Sequence, residues 1–256
     1  MSESVPGTAL ITGAAHRIGR AIALDMARHG WAVALHYHRS DADSAALARE
    51  IEADGGRARP VAADLTREDE VGNLVAQTVE TLGVVDCLIN NAAMFEPDTA
   101  VTATRESWDL HMETNLRAPF VLMQQMAAAL PVGRQGNIIN LLDERVWNLT
   151  PNFVSYTVSK AGLWTLTRTM AMALAPDIRV NAIGPGAALP SARQSPEQFA
   201  RQGAATPLGH GTNPEEICDA VRFILAAPAM TGQMIALDGG KHLGWANPAP
   251  DAVPYE

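Results

Sequence analysis

The chain has 256 residues, 47% of them hydrophobic, which is enough for a sizeable core in one or two domains. Its formal net charge of -9 and pI near 5.2 argue against a nucleic-acid partner, which needs a basic surface. No run of about 18 apolar residues could span a membrane, and the first residues lack a secretory pattern. Cys87 and Cys218 match no metal spacing and favour a reducing compartment, so we expect a cytoplasmic protein without a metal.

Strand-like apolar runs alternate with helix-like stretches along the chain. The predicted strands cover residues 8–12, 31–36, 57–63, 85–90, 136–142, 178–183 and 232–237. The predicted helices cover residues 17–29, 41–53, 67–82, 104–130 with an interruption near Pro119, 153–175 and 214–226. This alternation predicts an α/β fold, a Rossmann-like doubly wound sheet of about seven parallel strands with helices on both faces. No internal boundary is visible, so residues 1–256 are expected to form a single domain.

One connection is unusually long. Residues 184–212 are rich in Gly, Pro, Ala and Ser, and loops of this length often cover a site. We therefore predict that this stretch, called the lid segment below, closes over a substrate.

A glycine turn follows the first predicted strand. Gly13 and Gly19 flank it, and a predicted helix begins at Arg17. Glycine lets the backbone approach a pyrophosphate, and the helix N-terminus offers it free N–H groups. No Gly-Lys-Ser/Thr follows, so the turn is not a P-loop. A glycine turn alone is weak evidence, but its place between a strand and a helix predicts a bound dinucleotide.

The end of the second strand indicates which dinucleotide. An acid there would bind the ribose 2′-hydroxyl of NAD, whereas a basic residue accepts the 2′-phosphate of NADP. No acid appears before Asp41, while His38, Arg39 and Ser40 offer cations and donors. We therefore expect NADPH rather than NADH.

A tyrosine and a lysine share one face of a predicted helix, because Tyr156 and Lys160 are four residues apart. A nearby lysine cation favours the phenolate and brings tyrosine towards acid/base work at neutral pH. Asp143 lies thirteen residues before Tyr156. If ionised, Asp143 can only accept hydrogen bonds, and an alkoxide ~4 Å away would cost on the order of 4 kcal/mol at an effective dielectric of ~20. A ring with N–H donors suits such a carboxylate better than a ketone does.

Three motifs resemble those of the short-chain dehydrogenase/reductase family. They are Thr12-Gly13-x-x-x-Arg17-x-Gly19, Asn90-Asn91-Ala92-Ala93, and Tyr156-x-x-x-Lys160. The resemblance covers roughly residues 8–244. Four departures are similar to the pteridine reductase branch: Arg17 in place of the usual glycine, the His38-Arg39-Ser40 strand end, Phe95, and Asp143 in place of the usual serine. Ala93 also replaces a usual glycine.

The resemblance implies a role for each matching residue. The expected cofactor-binding residues are Gly13, Arg17, Ile18, Gly19, His38, Arg39, Ser40, Asp64, Leu65, Asn91, Ala92, Tyr156, Lys160, Pro185 and Gly186. The expected catalytic residues are Asp143, Tyr156, Lys160 and Asn115, the last holding a proton-relay water. The expected substrate-binding residues are Arg17, Phe95, Asp143 and Tyr156.

Plainer interpretations stay open for several of these residues. Arg17 could be a solvated residue of the first helical turn rather than a contact for phosphate and substrate. Phe95 could pack on the core instead of stacking on a pterin. Asp64 could cap a helix instead of facing adenine, and Asp143 could point away from the site and leave a degenerate enzyme.

The function implied is an NADPH-dependent reductase that transfers hydride to a C=N bond of a pterin, dihydropterin or dihydrofolate-like substrate. One alternative is a carbonyl or 3-oxoacyl-thioester reductase in which a protonated Asp143 donates. A second alternative is a non-catalytic NADPH-binding regulator. The resemblance also implies a homotetramer, assembled through the helices of Asn115 and Tyr156 and the C-terminal strand.

Overall fold

The computed structural model describes residues 6–191 and 193–244. Their strands form one parallel sheet of seven in the order β3-β2-β1-β4-β5-β6-β7. The strands are β1 (Thr8–Ile11), β2 (Ala32–Tyr37), β3 (Arg57–Ala62), β4 (Val85–Asn90), β5 (Gly136–Leu141), β6 (Ile178–Pro185) and β7 (Met234–Leu237). The predicted doubly wound fold is confirmed. Residues 1–5, 192 and 245–256, which the single-domain prediction also covers, lie outside the described residues.

Helices connect the strands. They are α1 (Arg17–Arg28), α2 (Asp41–Ala53), α3 (Glu68–Val71), α4 (Leu74–Leu82), α5 (Arg105–Met112), α6 (Ala118–Ala129), α7 (Val154–Ala173), α8 (Pro196–Ala204) and α9 (Pro214–Ala226). A π turn (Glu113–Arg117) joins α5 to α6, and short 3₁₀ turns cover Glu144–Val146 and Lys241–Leu243. Within the described chain, no helix is long and apolar enough to cross a membrane.

The sheet is buried between two apolar layers. Ile22 of α1 and Val221 of α9 pack on one face. Leu74 of α4, Leu122 of α6 and Leu163 of α7 pack on the other. A parallel sheet needs cover on both faces, which leaves the carboxyl ends of its strands as the place for a site.

Two predicted helices differ from those observed. The helix predicted over residues 67–82 is divided at Gly72 and Asn73, which are poor helix formers. The interruption predicted near Pro119 lies before it, in the π turn, and Pro119 stands in the first turn of α6. Proline cannot donate the hydrogen bond that the carbonyl of Asn115 would receive in a regular helix, so the irregular turn forms around Asn115.

The lid segment is more ordered than a loop. Strand β6 extends to Pro185, and α8 lies within the segment. A capping box starts α8: Ser195 Oγ accepts from Gln198 N at 3.2 Å, and Gln198 Oε1 accepts from Ser195 N at 2.9 Å. The Ser-x-x-Gln pattern is the sequence signal for this helix, and the prediction of an irregular connection missed it.

Candidate active site

A cavity of about 540 Å³ opens where β1, β4, β5 and β6 end. The cofactor turn, the segments after β4 and β5, α7 and the lid segment all contribute to its wall. Its lining includes Arg17, Ile18, Asn91, Phe95, Asp143, Arg145, Tyr156, Lys160, Pro185, Gly186 and Arg193. Half of the predicted site residues therefore meet in one space, although their sequence positions span most of the chain.

Hydrogen bonds hold the glycine turn against the segment that follows β4. Thr12 Oγ1 accepts from the backbone N–H groups of Asn91 at 2.9 Å and Ala92 at 3.0 Å. Asn91 Nδ2 donates to Thr12 O at 2.8 Å. Gly13 has φ +62°, a conformation that favours glycine, and a Cβ on Gly19 would lie 2.2 Å from Gly13 O. Both glycines are required by this geometry.

A buried histidine holds the turn from the other side. His36 Nδ1 accepts from Gly13 N at 3.0 Å, and His36 Nε2 lies 3.1 Å from Ala63 O. Only the tautomer with hydrogen on Nε2 satisfies both contacts. Burial lowers the pKa of His36 from 6.5 to about 4, so the ring stays neutral and acts as a structural bracket.

Arg17 stands in the left-handed region with φ +53°, which explains why glycine suits this position. Its guanidinium donates to Pro190 O at 2.9 Å and to Leu189 O at 3.2 Å. From the sequence we expected Arg17 to contact phosphate and substrate. The structure places it on the cavity wall and against the lid segment, where it joins the cofactor turn to the lid.

The polar residues beyond β2 lie together. His38 and Arg39 are exposed, and His38 Nε2 lies 3.5 Å from Asp64 Oδ2. Ser40 Oγ lies 3.0 Å from His16 Nε2, so His16 joins this cluster although sequence reasoning missed it. The signal for His16 was a basic residue within the glycine turn.

Asp64 and Leu65 follow β3 as predicted, beside this cluster. Burial would raise the pKa of Asp64, but hydrogen bonds from Thr66 and the charges of His38 and Arg39 lower it. Asp64 Oδ1 accepts from Thr66 N at 2.9 Å, which closes a turn rather than capping the next helix. Leu65 is buried.

Tyr156 and Asp143 form the polar centre of the cavity. Tyr156 Oη donates to Asp143 Oδ2 at 2.9 Å, so the aspartate faces the site and has not turned away. Tyr156 is 5% exposed. Burial, then the charge of Asp143 and its hydrogen bond, raise the pKa of Tyr156 well above 10, and Arg145 opposes this rise.

Lys160 shares the face of Tyr156 but does not hydrogen-bond to its hydroxyl. Its Nζ donates to Leu141 O at 2.6 Å and lies 5.9 Å from the centre of the Tyr156 ring. Burial lowers the pKa of Lys160 from 10.5 to about 8, against the opposing charge of Asp143. The predicted shared face is confirmed; the direct effect of the lysine on the phenol is not seen here.

Arg145 neutralises Asp143, which sequence reasoning missed. Its Nη1 lies 3.2 Å from both carboxylate oxygens. The repulsion predicted between an ionised Asp143 and an alkoxide holds for a carboxylate that has no neighbouring cation. A cation at hydrogen-bond distance cancels much of that repulsion, so the charge of Asp143 alone does not exclude ketone reduction.

Phe95 lies on the cavity wall and is only half-buried, so it does not belong to the apolar layers. One face stacks on Phe153, with 4.4 Å between ring centres and 7° between planes. Tyr156 meets Phe95 edge-on at 4.7 Å. Arg193 of the lid segment lies over the ring, 5.6 Å from its centre, and donates to Phe95 O at 2.6 Å. A flat aromatic surface is present, with a lid residue resting on it.

Asn115 positions the loop that carries Phe95. Its Oδ1 accepts from Met94 N at 2.8 Å, and its Nδ2 donates to Met94 O at 3.0 Å and to Ser159 Oγ at 3.0 Å. The side chain is thus fully engaged with protein. Any water held at this position would have to use a backbone carbonyl that the π turn frees.

A second buried cluster supports the same loop. Ser155 donates to the carboxylate of Asp98 and lies 2.7 Å from His111 Nδ1. His111 Nε2 accepts from Glu96 N at 3.1 Å. All three side chains are buried, so the cluster joins α5, α7 and the Phe95 loop and is not itself open to a substrate.

The remaining predicted residues line the inner wall. Pro185 ends β6, and Gly186 N donates to Leu237 O at 2.8 Å. A Cβ on Gly186 would lie 2.9 Å from Asp238 Cα. Ile18 lines the cavity beside Arg17. From the β2 side to the β5 side, the site presents a half-open cluster of basic and hydroxyl groups, the glycine turn and a buried lysine. This order of groups fits a phosphorylated dinucleotide. Among the described residues, no group of His, Cys, Asp and Glu side chains could hold a metal.

Comparison with known proteins agrees with this geometry. The family model described as Enoyl-(Acyl carrier protein) reductase matches residues 13–242. The chain belongs to the short-chain dehydrogenase/reductase family. Its curated relatives include the short-chain dehydrogenase/reductase eriH of Hericium erinaceus, 35% identical over 93% of this chain and 98% of that protein.

Two further members of this family point to different chemistries. The 3-oxoacyl-[acyl-carrier-protein] reductase FabG of Staphylococcus epidermidis is 32% identical over 92% of this chain and 99% of its own length. The FolM alternative dihydrofolate reductase 1 of Brucella suis, solved in complex with NADP, is 46% identical over 94% of this chain and 97% of that chain, with a TM-score of 0.91. The chain is therefore an oxidoreductase of this family, similar both to a 3-oxoacyl-[acyl-carrier-protein] reductase and to an alternative dihydrofolate reductase.

Proposed function

We propose that the protein is an NADPH-dependent reductase of a C=N bond in a pterin, dihydropterin or dihydrofolate-like substrate. The observation that carries the proposal is the Tyr156–Asp143 hydrogen bond of 2.9 Å beside Phe95. A carboxylate stands where the family's usual serine would donate, and it suits a ring that carries N–H groups. Similarity to the NADP-bound FolM protein supports both the cofactor and the substrate class.

Each proposed site residue has a stated task. The cofactor-binding set is Gly13, Arg17, Ile18, Gly19, His38, Arg39, Ser40, Asp64, Leu65, Asn91, Ala92, Tyr156, Lys160, Pro185 and Gly186. We add His16 to the 2′-phosphate end, because it lies 3.0 Å from Ser40 Oγ. The lid segment closes over the substrate, with Arg17 and Arg193 holding it at two edges.

The chain's own residues handle orientation and the proton. Phe95 offers a face for the flat ring. Asp143 accepts a ring N–H, which fixes the orientation of the substrate. When bound, NADPH supplies the hydride that adds to the carbon of the C=N bond. Tyr156 delivers the proton to the nitrogen. The charge of Lys160, whose Nζ lies 5.9 Å from the centre of the Tyr156 ring, stabilises the remaining phenolate without a direct hydrogen bond. Asn115 fixes the position of the Phe95 loop relative to α7.

Replacing Asp143 with Ser tests this assignment. We expect kcat/KM for a 7,8-dihydropterin to fall about tenfold to a hundredfold, because a charge-assisted hydrogen bond is worth roughly 1.5–3 kcal/mol. Turnover of a 3-oxoacyl thioester should rise, since serine can donate to a carbonyl oxygen. Asp54→Ser, at an exposed position, is the control and should change neither rate. A fall in thioester turnover would identify Asp143 as a protonated donor and contradict the proposal.

Reduction of a carbonyl or 3-oxoacyl thioester is the second candidate. The matching family model and the FabG relatives favour it. Arg145 removes much of the charge repulsion, but an ionised Asp143 still has no hydrogen to donate to a carbonyl oxygen. The third candidate, a non-catalytic NADPH-binding regulator, predicts cofactor binding with no turnover to lose in Tyr156→Phe.

We also propose a homotetramer in a reducing compartment such as the cytoplasm. A largely apolar groove, open to solvent in one copy, lies between α5, the π turn, α6 and α7 and is lined by Met112, Leu116, Phe120 and Leu166 among others. A second copy could bury it. Both cysteines are free and buried, which fits a reducing environment.

A further inference from the structure

Asp143 is held mainly by Arg145. Its Oδ1 accepts from the backbone N of Arg145 at 2.8 Å, and Nη1 of Arg145 lies 3.2 Å from each oxygen. The side chains of Asp143 and Arg145 are only 15% and 16% exposed. Ionised groups so far from water need a partner of opposite charge, and each provides it for the other.

The local backbone makes this pairing possible. Residues two apart point away from each other in a helix, and in a strand they stand side by side without folding over one another. Here Asp143 caps a 3₁₀ turn that begins at Glu144, and the chain reverses so that the Arg145 side chain folds back over the carboxylate. The contact lies within one turn and does not depend on the lid segment.

The same guanidinium also reaches the aromatic wall. Its central carbon lies 5.4 Å from the centre of the Phe95 ring and 5.3 Å from that of Phe153. A guanidinium over aromatic faces is attracted to them, more strongly where water is excluded. Arg145 therefore touches both the carboxylate and the platform on which the proposed substrate would rest.

We propose that Arg145 is the positioning residue that commits Asp143 to a hydrogen-bond-accepting role and thereby sets the preference for C=N over C=O substrates. The proposal rests on the proposed function for the identity of the preferred substrate. Without Arg145, the half-buried carboxylate of Asp143 would lose its ion-pair partner, which favours the neutral carboxyl group. The neutral carboxyl group could then donate to a carbonyl oxygen.

The test is a double-mutant cycle on the full chain. Arg145→Met, Asp143→Asn and the double variant are assayed with NADPH and, in parallel, a 7,8-dihydropterin and a 3-oxoacyl thioester. Arg145→Lys keeps the charge but loses the planar stacking surface. Arg105→Met removes an arginine that is 88% exposed and is the control. Thermal unfolding and NADPH affinity are measured for every variant.

If Arg145 acts through Asp143, Arg145→Met lowers dihydropterin kcat about tenfold or more and raises thioester turnover. When Asp143→Asn is already present, the same change has an effect below about threefold, because coupled residues are not additive. Arg145→Lys should recover much of kcat while KM stays raised, since the contact with Phe95 is lost.

Additive effects of the two single changes, no recovery by lysine and a parallel loss of NADPH affinity would overturn the proposal and leave Arg145 a purely structural residue. Failure of the proposed function is distinguishable, because the unaltered chain would then show no dihydropterin turnover. In that case the double-mutant cycle is measured with the 3-oxoacyl thioester as the substrate. Non-additive effects of the two changes on turnover would still support the role of Arg145, and additive effects would still contradict it.

Discussion

Buried charged side chains in this protein are stabilised by specific partners. Asp143 pairs with Arg145 and Glu144 with Lys241, whereas the ammonium group of Lys160 donates to the backbone carbonyl of Leu141. An ion pair offsets the loss of water around its charges, whereas a carbonyl offsets it less well for a full cation. Lys160 is therefore the residue at which function and stability oppose each other.

Replacing Lys160 with Met should stabilise the fold at neutral pH. The pKa of Lys160 is lowered from 10.5 to about 8 by burial. The folded chain therefore holds this proton less tightly than the unfolded chain, and stability rises as pH rises from about 8 towards 10.5. Below that window the folded chain bears the full cost of a buried cation. We expect Lys160→Met to raise the free energy of unfolding by about 1–3 kcal/mol near pH 7, allowing for the lost hydrogen bond, and to abolish turnover.

Urea denaturation without cofactor, near neutral pH and again above the pKa of the free lysine, checks this expectation. The gain should shrink at the higher pH. The chain has only one other lysine, Lys241, whose partner Glu144 is buried and has a pKa raised by burial. Lys241→Met is thus a matched control that should lower stability near pH 7. A Lys160→Met variant no more stable than the natural chain would show that the buried cation costs nothing.

Among the elements, the turn between β1 and α1 is closely packed. A Cβ on Gly19 would lie 2.2 Å from Gly13 O and 2.6 Å from Asn91 Nδ2. Backbone cannot yield as a flexible side chain can. This turn packs tightly against the segment that follows β4, and we propose that it binds the pyrophosphate of the cofactor.

Gly19→Ala should therefore weaken both cofactor binding and the fold. We expect NADPH affinity to fall about tenfold or more, with a loss of about 1–3 kcal/mol in the free energy of unfolding. Titration calorimetry and thermal unfolding measure the two effects. Gly72→Ala, between α3 and α4 at φ −59°, is the control and should bind NADPH as the natural chain does. Unchanged affinity in Gly19→Ala would contradict the assigned role of the turn.

The secondary-structure elements also show how much of this structure could be predicted from the sequence. All seven strands were predicted. The inner strands are apolar runs because they are buried on both faces, whereas the edge strand β3 also carries exposed residues. The interruption near Pro119 was predicted without its π geometry, and the division at Gly72 was missed, since local hydrogen bonding decides both without changing the apolar pattern. Arg17 meets Leu189 across 172 positions, and no local pattern contains such a contact. The Asp143–Arg145 pair was missed although the two residues are close in sequence, because only the 3₁₀ turn between them brings their charged groups together.

At the scale of the whole molecule, strand order explains why distant motifs meet. Strands β2 and β3 extend from one side of β1, and β4 to β7 extend from the other. The order reverses between β1 and β4, which is where ligands bind in sheets of this kind. The glycine turn, the Phe95 loop, Asp143 and the lid segment all follow strands near that reversal, so one cavity collects them.

The central claim is that this cavity reduces a pterin-type C=N bond with NADPH. The most direct test follows NADPH oxidation by the purified chain with a 7,8-dihydropterin and a 3-oxoacyl thioester in parallel, and repeats both with Tyr156→Phe. We predict dihydropterin-dependent oxidation that disappears in the variant while NADPH binding remains. Turnover of the thioester alone would contradict the account and assign the site to carbonyl reduction.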